Sequence, residues 1–175
     1  MQVCPYCGVE VLAGVDICDE CHQPLTDLSV RVPAMSVEAD LMRDTVSQIP
    51  THPPVTFSPS ATVREVLAAM IDQRIGCVLV APDDRPNQLA GIFSERDALM
   101  RLNVEAPRWL GERIDRFMTP NPATIPTDAK IAFALHKMNH GGYRHLPLME
   151  GDRPVSVISV RDLLRYLTEH STASE

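Results

Sequence analysis

The stretch Leu89-Ala90-Gly91-Ile92-Phe93-Ser94-Glu95-Arg96-Asp97 decides the fold, because its end returns 65 residues later as Ser159-Val160-Arg161-Asp162, again behind an apolar run, Val155 to Ile158. At that spacing Leu99 and Leu102 meet Leu164 and Leu167. Upstream the spacing widens to 68: Thr51 meets Thr119, Pro54 meets Pro122, Thr56 meets Thr124, Ala61 meets Ala129, Leu67 meets Leu135 and Met70 meets Met138. A loop three residues shorter in the second copy accounts for the change. Self-similarity held over this length marks one structural unit present twice.

Each copy reads β-α-β-β-α. A short extended piece (Val55-Thr56-Phe57; Ala123-Thr124-Ile125) precedes a helix whose apolar positions, Val63, Val66, Leu67, Met70 and Ile71, follow the 3.6 period. The counterparts are Ile131, Ala134, Leu135 and Met138. An apolar strand follows (Cys77 to Val80; Leu146 to Leu148), then a turn rich in Asp, Arg and Pro, a second strand (Leu89 to Phe93; Val155 to Ile158), and a helix opening at Ser94 or Ser159. A copy of ~60 residues has too little core to stand alone, so the two are expected to pack into one module of class α+β with helices covering the sheets. The first repeat is assigned to 45–106 and the second to 107–170.

These residues carry a resemblance. Met118-Thr119-Pro120-Asn121-Pro122, Gly142-Tyr143-Arg144-His145-Leu146-Pro147 and Ser159-Val160-Arg161-Asp162-Leu163-Leu164, with Gly91 to Asp97 in the first copy, resemble the cystathionine-β-synthase (CBS) domain, whose tandem pair is called a Bateman module. The resemblance spans about Val37 to Leu167. It implies two clefts for adenosine-containing ligands, AMP, ADP, ATP or S-adenosylmethionine, and a homodimer formed through helices. It also implies that Ser94 with Asp97, and Ser159 with Asp162, meet ribose and phosphate, that the segments around Thr56 and Thr124 face adenine, and that Arg144 meets phosphate. The chemistry suits: a carboxylate accepts both ribose hydroxyls, and a helix start offers N–H groups to phosphate.

The same pattern has a plainer reading, since Ser-x-x-Asp at a helix start is close to a capping box. Capping and binding are compatible for the serines. The copies also differ: Gly91 is matched by Ser156, and Arg144 and His145 are matched by Gly76 and Cys77, so either site can be degenerate. Arg144 has the alternative of pairing with a surface acid. His145 reads as a packed strand residue and Cys77 as an inert core thiol.

Four of the five cysteines lie before residue 22, as Cys4-Pro5-Tyr6-Cys7 and Cys18-Asp19-Glu20-Cys21. Two residues between thiolates let a tight turn aim both at one point, and two facing knuckles complete a tetrahedral sulfur shell for Zn²⁺. A rubredoxin-type iron site or a redox dithiol are the alternatives; the short separation of the knuckles and the presence of two pairs favour structural zinc. The segment resembles a short zinc ribbon, assigned to 1–28, and the metal supplies folding energy that so small a piece cannot find in a core. His22 stands where the first knuckle has Gly8; it could substitute for a cysteine as ligand, but four thiolates already close a structural site.

The chain has 175 residues, 45% hydrophobic but only 5% aromatic, with 15 prolines, which implies an aliphatic core cut by turns. Mean hydropathy is -0.06, and no run of ~18 apolar residues is present, which excludes a membrane helix. The start Met-Gln-Val-Cys-Pro leaves no room for a signal peptide, and the clustered cysteines read as metal ligands, so a cytoplasmic location is expected. Net charge is -7, and Glu10, Asp16, Asp19, Glu20 and Asp27 place five of those charges in the first 30 residues, without a Lys or Arg. Phosphate binding by the ribbon requires the opposite sign, so nucleic acid is disfavoured as a partner. Residues 29–44 read as a linker and a lead-in helix capped by Ser36, Trp109 to Ile114 as the second lead-in with Trp109 packed at the repeat junction, and 171–175 as a frayed tail.

No catalytic motif is present, and no enzyme is expected. The functional expectation is a regulatory or sensor protein: the CBS pair binds the adenosine ligand and signals to an unidentified protein partner. The alternative is a protein-interaction adaptor, with the zinc ribbon as docking element and no nucleotide sensing.

Overall fold

The computed structural model describes residues 2–4, 6–12, 15–25, 37–102 and 106–172. The central linker with the Ser36 cap, and the end of the tail, lie outside these residues. In chain order the strands are β1 (Gln2–Val3), β2 (Glu10–Val11), β3 (Thr56–Phe57), β4 (Cys77–Val80), β5 (Gly91–Ser94), β6 (Thr119–Pro120), β7 (Ile125–Pro126), β8 (His145–Glu150) and β9 (Arg153–Ser159). The helices are α1 (Val37–Arg43), α2 (Val63–Asp72), α3 (Glu95–Asp97), α4 (Ala106–Trp109), α5 (Ile131–Gly141) and α6 (Val160–Thr172). The strand-helix order expected of each repeat is present twice. The helix expected after Ser94 is a single turn, α3, running into a π-helical stretch, Ala98–Leu102, that buries Leu102 and leaves Leu99 and Met100 exposed.

The chain divides into two compact units. One comprises Thr51–Pro126 and His145–Ile158. Its first sheet has the order β3-β4-β5-β6, with β3 parallel to β4 (Thr56 opposite Leu79) and the rest antiparallel (Val80 opposite Gly91; Ile92 opposite Thr119). Its second sheet is β7-β8-β9, again with a parallel first pair, Ile125 opposite Leu148. The two repeats are laced together reciprocally. β6, the lead into the second repeat, pairs with β5 of the first, while His52, in the lead into the first, bridges Val157 on β9 of the second.

β4 is buried along its whole length, as its unbroken apolar sequence requires. α2 begins at a full capping box: Thr62 Oγ1 accepts from Glu65 N at 3.3 Å and the Glu65 carboxylate accepts from Thr62 N at 2.7 Å. Its buried face, Val63, Val66 and Met70, packs with Val78, Val80, Phe93, Leu102, Ile114 and Phe117. Trp109 packs at the edge of this cluster, where residues 63–102 of the first repeat meet Ile114 and Phe117 of the second, and is tilted against Phe117 at 5.8 Å. Phe93 is fully buried there, and truncating such a residue costs about 3–5 kcal/mol.

The other unit holds Met1–Pro50, Thr127–Arg144 and Ser159–Glu175. Here α1, α5 and α6 pack on one another. Two bonds fix the lead-in helix to the start of α5: Ile131 N donates to Asp44 O at 3.0 Å, and Lys130 Nζ donates to Arg43 O at 2.6 Å. α5 ends where Gly142 turns left-handed, φ 64°.

Candidate ligand and metal sites

Both Ser-x-x-Asp motifs form at a strand-helix junction with the same geometry. Ser94 N and Oγ donate to Asp97 Oδ2 at 3.0 and 2.6 Å, and Ser159 N and Oγ donate to Asp162 Oδ2 at 2.9 and 2.6 Å. Each serine also accepts from the N–H of its own aspartate, at 3.4 and 3.3 Å. The capping reading is therefore realised in both copies, and the carboxylates are held in a fixed orientation.

Around the first motif the structure adds two residues that sequence reasoning passed over. Thr119 Oγ1 donates to Asp97 Oδ1 at 2.9 Å, and Arg101 lies 3.4 Å from the same oxygen. Arg101 also donates to Thr119 Oγ1 at 3.0 Å, to Phe117 O at 2.8 Å and to Met118 O. The signal for Thr119 was its pairing with Thr51 in the repeat; nothing local singled out Arg101. Thr51 instead donates to Ser156 Oγ at 3.1 Å.

Gly91 and Ser156, the mismatched pair, have a packing explanation. A Cβ at Gly91 collides with the Met118 Sδ and stands 3.0 Å from Thr119 O. The residue matching Met118 is Pro50, so the long thioether has no counterpart in the second copy. Gly76 is similarly crowded: a Cβ there is 2.6 Å from His145 Nε2.

Thr56 sits on β3 opposite Leu79. Thr124 lines a cavity of about 680 Å³ together with the 84–89 turn, Asn121, Pro122, Met149 and Asp152; Ser94 and Asp97 do not line it. Arg144 is exposed and makes no ion pair among the described residues, while its carbonyl accepts Val160 N at 2.9 Å. Cys77 is buried in β4, and burial, with Glu95 and Asp97 adding negative charge, pushes its thiol up to about 12.

The four amino-terminal cysteines converge. Their Sγ atoms all lie within 4.8 Å of one another, with Cys4 to Cys21 at 3.7 Å and Cys7 to Cys18 at 3.6 Å. Sulfurs ~2.3 Å from one tetrahedral centre are ~3.8 Å apart, so the cage fits Zn²⁺. The two knuckles are copies: Gly8 N donates to Cys4 O and His22 N to Cys18 O, at 2.9 and 2.8 Å, while Cys4 N and Cys18 N donate to Val9 O and Gln23 O. This shared turn needs a left-handed residue, which is Gly8 at φ 78° and His22 at φ 57°. His22 keeps its glycine-like place and is outside the sulfur cluster.

Burial pushes the Cys7 thiol up to about 11 and raises that of Cys21. At Cys18 burial also raises the thiol, but the backbone N–H groups of Cys21 and Glu20 and the thiols of Cys21 and Cys7 together bring it to about 7. A bound cation removes all four protons. The cage is not a free appendage: Tyr6, Val15 and Phe133 of α5 pack against it, and Lys137 lies over the Phe133 ring at 5.4 Å.

The profile of the family described as "CBS domain" matches residues 46–104 and 114–169. An uncharacterized 17.7 kDa protein of Acidianus ambivalens is 29% identical over 132 residues, 75% of this chain and 77% of that one. A CBS domain-containing protein of Arabidopsis thaliana is 34% identical over 117 residues, 67% of this chain, and the match spans only 20% of the plant protein. Among solved structures, a CBS domain protein from Pyrobaculum aerophilum complexed with AMP has a TM-score of 0.64 at 28% identity, covering 74% of this chain and 99% of that one. A CBS-domain containing protein from Agrobacterium tumefaciens matches with a TM-score of 0.64 at 24% identity, over 70% of this chain and 98% of that one. Among the described residues no helix is long and apolar enough to cross a membrane.

Proposed function

The chain belongs to the CBS-domain family as a tandem pair, and on that premise we propose that it binds an adenosine-containing ligand, AMP, ADP, ATP or S-adenosylmethionine, and reports it to a protein partner. Such a pair is a regulatory module and not an enzyme. The observation that carries the reading is the Ser-x-x-Asp motif, held with its carboxylate oriented at a strand-helix junction in both repeats. The 28% identical Pyrobaculum protein, solved with AMP, supports the ligand class. Binding moves a partner only through different affinity for two arrangements of the module, and a homodimer built on CBS helices supplies such arrangements. Thermal shift and calorimetry against the four ligands test this, since a ligand at ~100 times its Kd adds about 2.7 kcal/mol. Silence toward all four overturns it.

Cys4, Cys7, Cys18 and Cys21 are assigned to one structural zinc, and the sulfur spacing supports that choice. A thiolate cage survives in a reducing compartment, which supports the cytoplasm. The adaptor reading has its own observation: the ribbon leaves the apolar side chains of Val3, Leu12 and Ile17 exposed, and a protein partner would cover them. It predicts silent ligand screens and loss of a captured partner when the ribbon is deleted.

A further inference from the structure

We propose that the two motifs have divided their work: Ser159, Asp162 and Arg144 take the ribose and phosphate of the ligand, while Ser94 and Asp97 form a latch closed by Thr119 and Arg101. This rests on the adenosine reading above and says which half of the pair the ligand enters.

A carboxylate has about four acceptor positions. At Asp97 three are taken by hydrogen bonds and the fourth faces a guanidinium 3.4 Å away. Its Oδ2 takes two donors from Ser94, and its Oδ1 takes the Thr119 hydroxyl and faces Arg101. A ribose diol can enter only by stripping Thr119 away and moving a guanidinium that also holds the Phe117 and Met118 carbonyls. Asp162 has used half. Its Oδ2 takes the two donors from Ser159, and Oδ1 has no hydrogen-bond partner among the described residues. Two open lone pairs on one oriented oxygen are what two adjacent hydroxyls require.

The difference comes from two exchanges between the copies. Ser156 stands for Gly91, and its oxygen takes the single hydroxyl proton of Thr51, the counterpart of Thr119. Tyr166 stands for Arg101, and its hydroxyl donates to Asp44 at 2.7 Å. Both residues that close the first carboxylate therefore have counterparts whose donors are spent elsewhere.

Charge follows the same division. Glu95 N donates to Gly76 O at 3.0 Å and Val160 N donates to Arg144 O at 2.9 Å, one bond in two copies. Beside the first motif stand an acid and a glycine; beside the second stand a valine and an exposed arginine with no ion pair among the described residues. At this shared bond an arriving phosphate meets a negative side chain in the first copy and a positive one in the second, while the Arg101 guanidinium of the first copy is engaged by Asp97 and the Phe117 carbonyl.

Calorimetry of the full chain with AMP is expected to give one site per chain. Hydrogen exchange on the same protein is expected to slow near Arg144 and over residues 159–165, and not over 94–101. Asp162→Asn abolishes binding, and Arg144→Met weakens AMP by about tenfold while changing adenosine little. Thr119→Val combined with Arg101→Met, which frees the Asp97 carboxylate but leaves Glu95 in place, raises the stoichiometry of adenosine toward two. Two equal sites in the unaltered protein, protection confined to 94–101, or full binding by Asp162→Asn overturns the division and leaves the adenosine reading standing. No binding of AMP, ADP, ATP or S-adenosylmethionine overturns both.

Discussion

Tyr166 and Asp44, 122 residues apart, share a 2.7 Å hydrogen bond in which the buried phenol donates to the carboxylate. It ties the lead-in helix α1 to the last helix, α6, and Ile131 N on the Asp44 carbonyl adds α5 to the same point. The Tyr166 ring stacks on His170 at 3.9 Å, which fixes its hydroxyl. The bond from Tyr166, helped by Arg43, holds the Asp44 carboxyl below its ordinary 3.8. A lowered carboxyl stabilises the fold fully above its unfolded value and loses that contribution as pH falls through the lowered one. Tyr166→Phe is expected to cost about 1.5–3 kcal/mol near neutrality and to flatten the acid limb below about pH 4. Urea unfolding from about pH 3 to pH 7 measures both. An unchanged acid limb in Tyr166→Phe refutes the coupling.

The thiols separate into two classes. Zinc-loaded protein is expected to show no fast-reacting thiol toward a disulfide reagent. A chelator then releases one zinc per chain and exposes four thiols, because Cys4, Cys7, Cys18 and Cys21 share one cage. Cys77, with its thiol at about 12 inside β4, reacts only after denaturation. At pH 8 such a thiol is on the order of one part in 10⁴ thiolate. Five thiols titrating together, or no metal in protein purified without chelators, contradicts the assignment.

Phe133 predicts how the ribbon is held. It is half-buried against the cysteine cluster with Tyr6 and Val15, so its truncation removes a docking contact and not a ligand. Phe133→Ala is expected to keep its zinc while the amides of residues 2–25 exchange faster. The cost is roughly 1–2 kcal/mol, below the ~3–5 of a fully buried phenylalanine. Loss of zinc from Phe133→Ala at neutral pH counts against this separation of roles.

The ribbon and the repeat were legible in the sequence because each is written in short-range spacing: two cysteine pairs, and apolar periods that recur. β4 was expected at Cys77 to Val80 and is found there, since a fully apolar four-residue run between breakers has few other uses. What sequence did not reveal was partnership. That Thr119 reaches Asp97 while its counterpart Thr51 turns to Ser156 depends on which strand each lead-in joins, and no local period encodes that. The seating of the ribbon on Phe133 was hidden for a like reason: one aromatic on the flank of an amphipathic helix reads as ordinary surface until something covers it. His22 was a visible departure whose reason, a left-handed turn shared with Gly8, needed the backbone to be seen.

Gly91 supplies the sharpest test of the lacing between repeats. Its backbone in β5 pairs with Pro120 in β6, and the space a side chain needs is filled by the Met118 thioether and closed by the Thr119 carbonyl 3.0 Å away. Gly91→Ala is expected to destabilise by about 1–3 kcal/mol through overpacking. The colliding sulfur is the flexible part and the carbonyl the rigid part, so Met118→Ala should recover some of that loss but not all of it. The recovery appears in a double-mutant cycle as a coupling of about 0.5–2 kcal/mol between two residues 27 positions apart. Ser156→Gly makes the opposite comparison: with Pro50 in the place of Met118, it removes a hydroxyl contact from Thr51 and relieves no clash, so a small loss is expected. Additive effects of Gly91→Ala and Met118→Ala in urea unfolding mean that β6 does not lie on β5 as described.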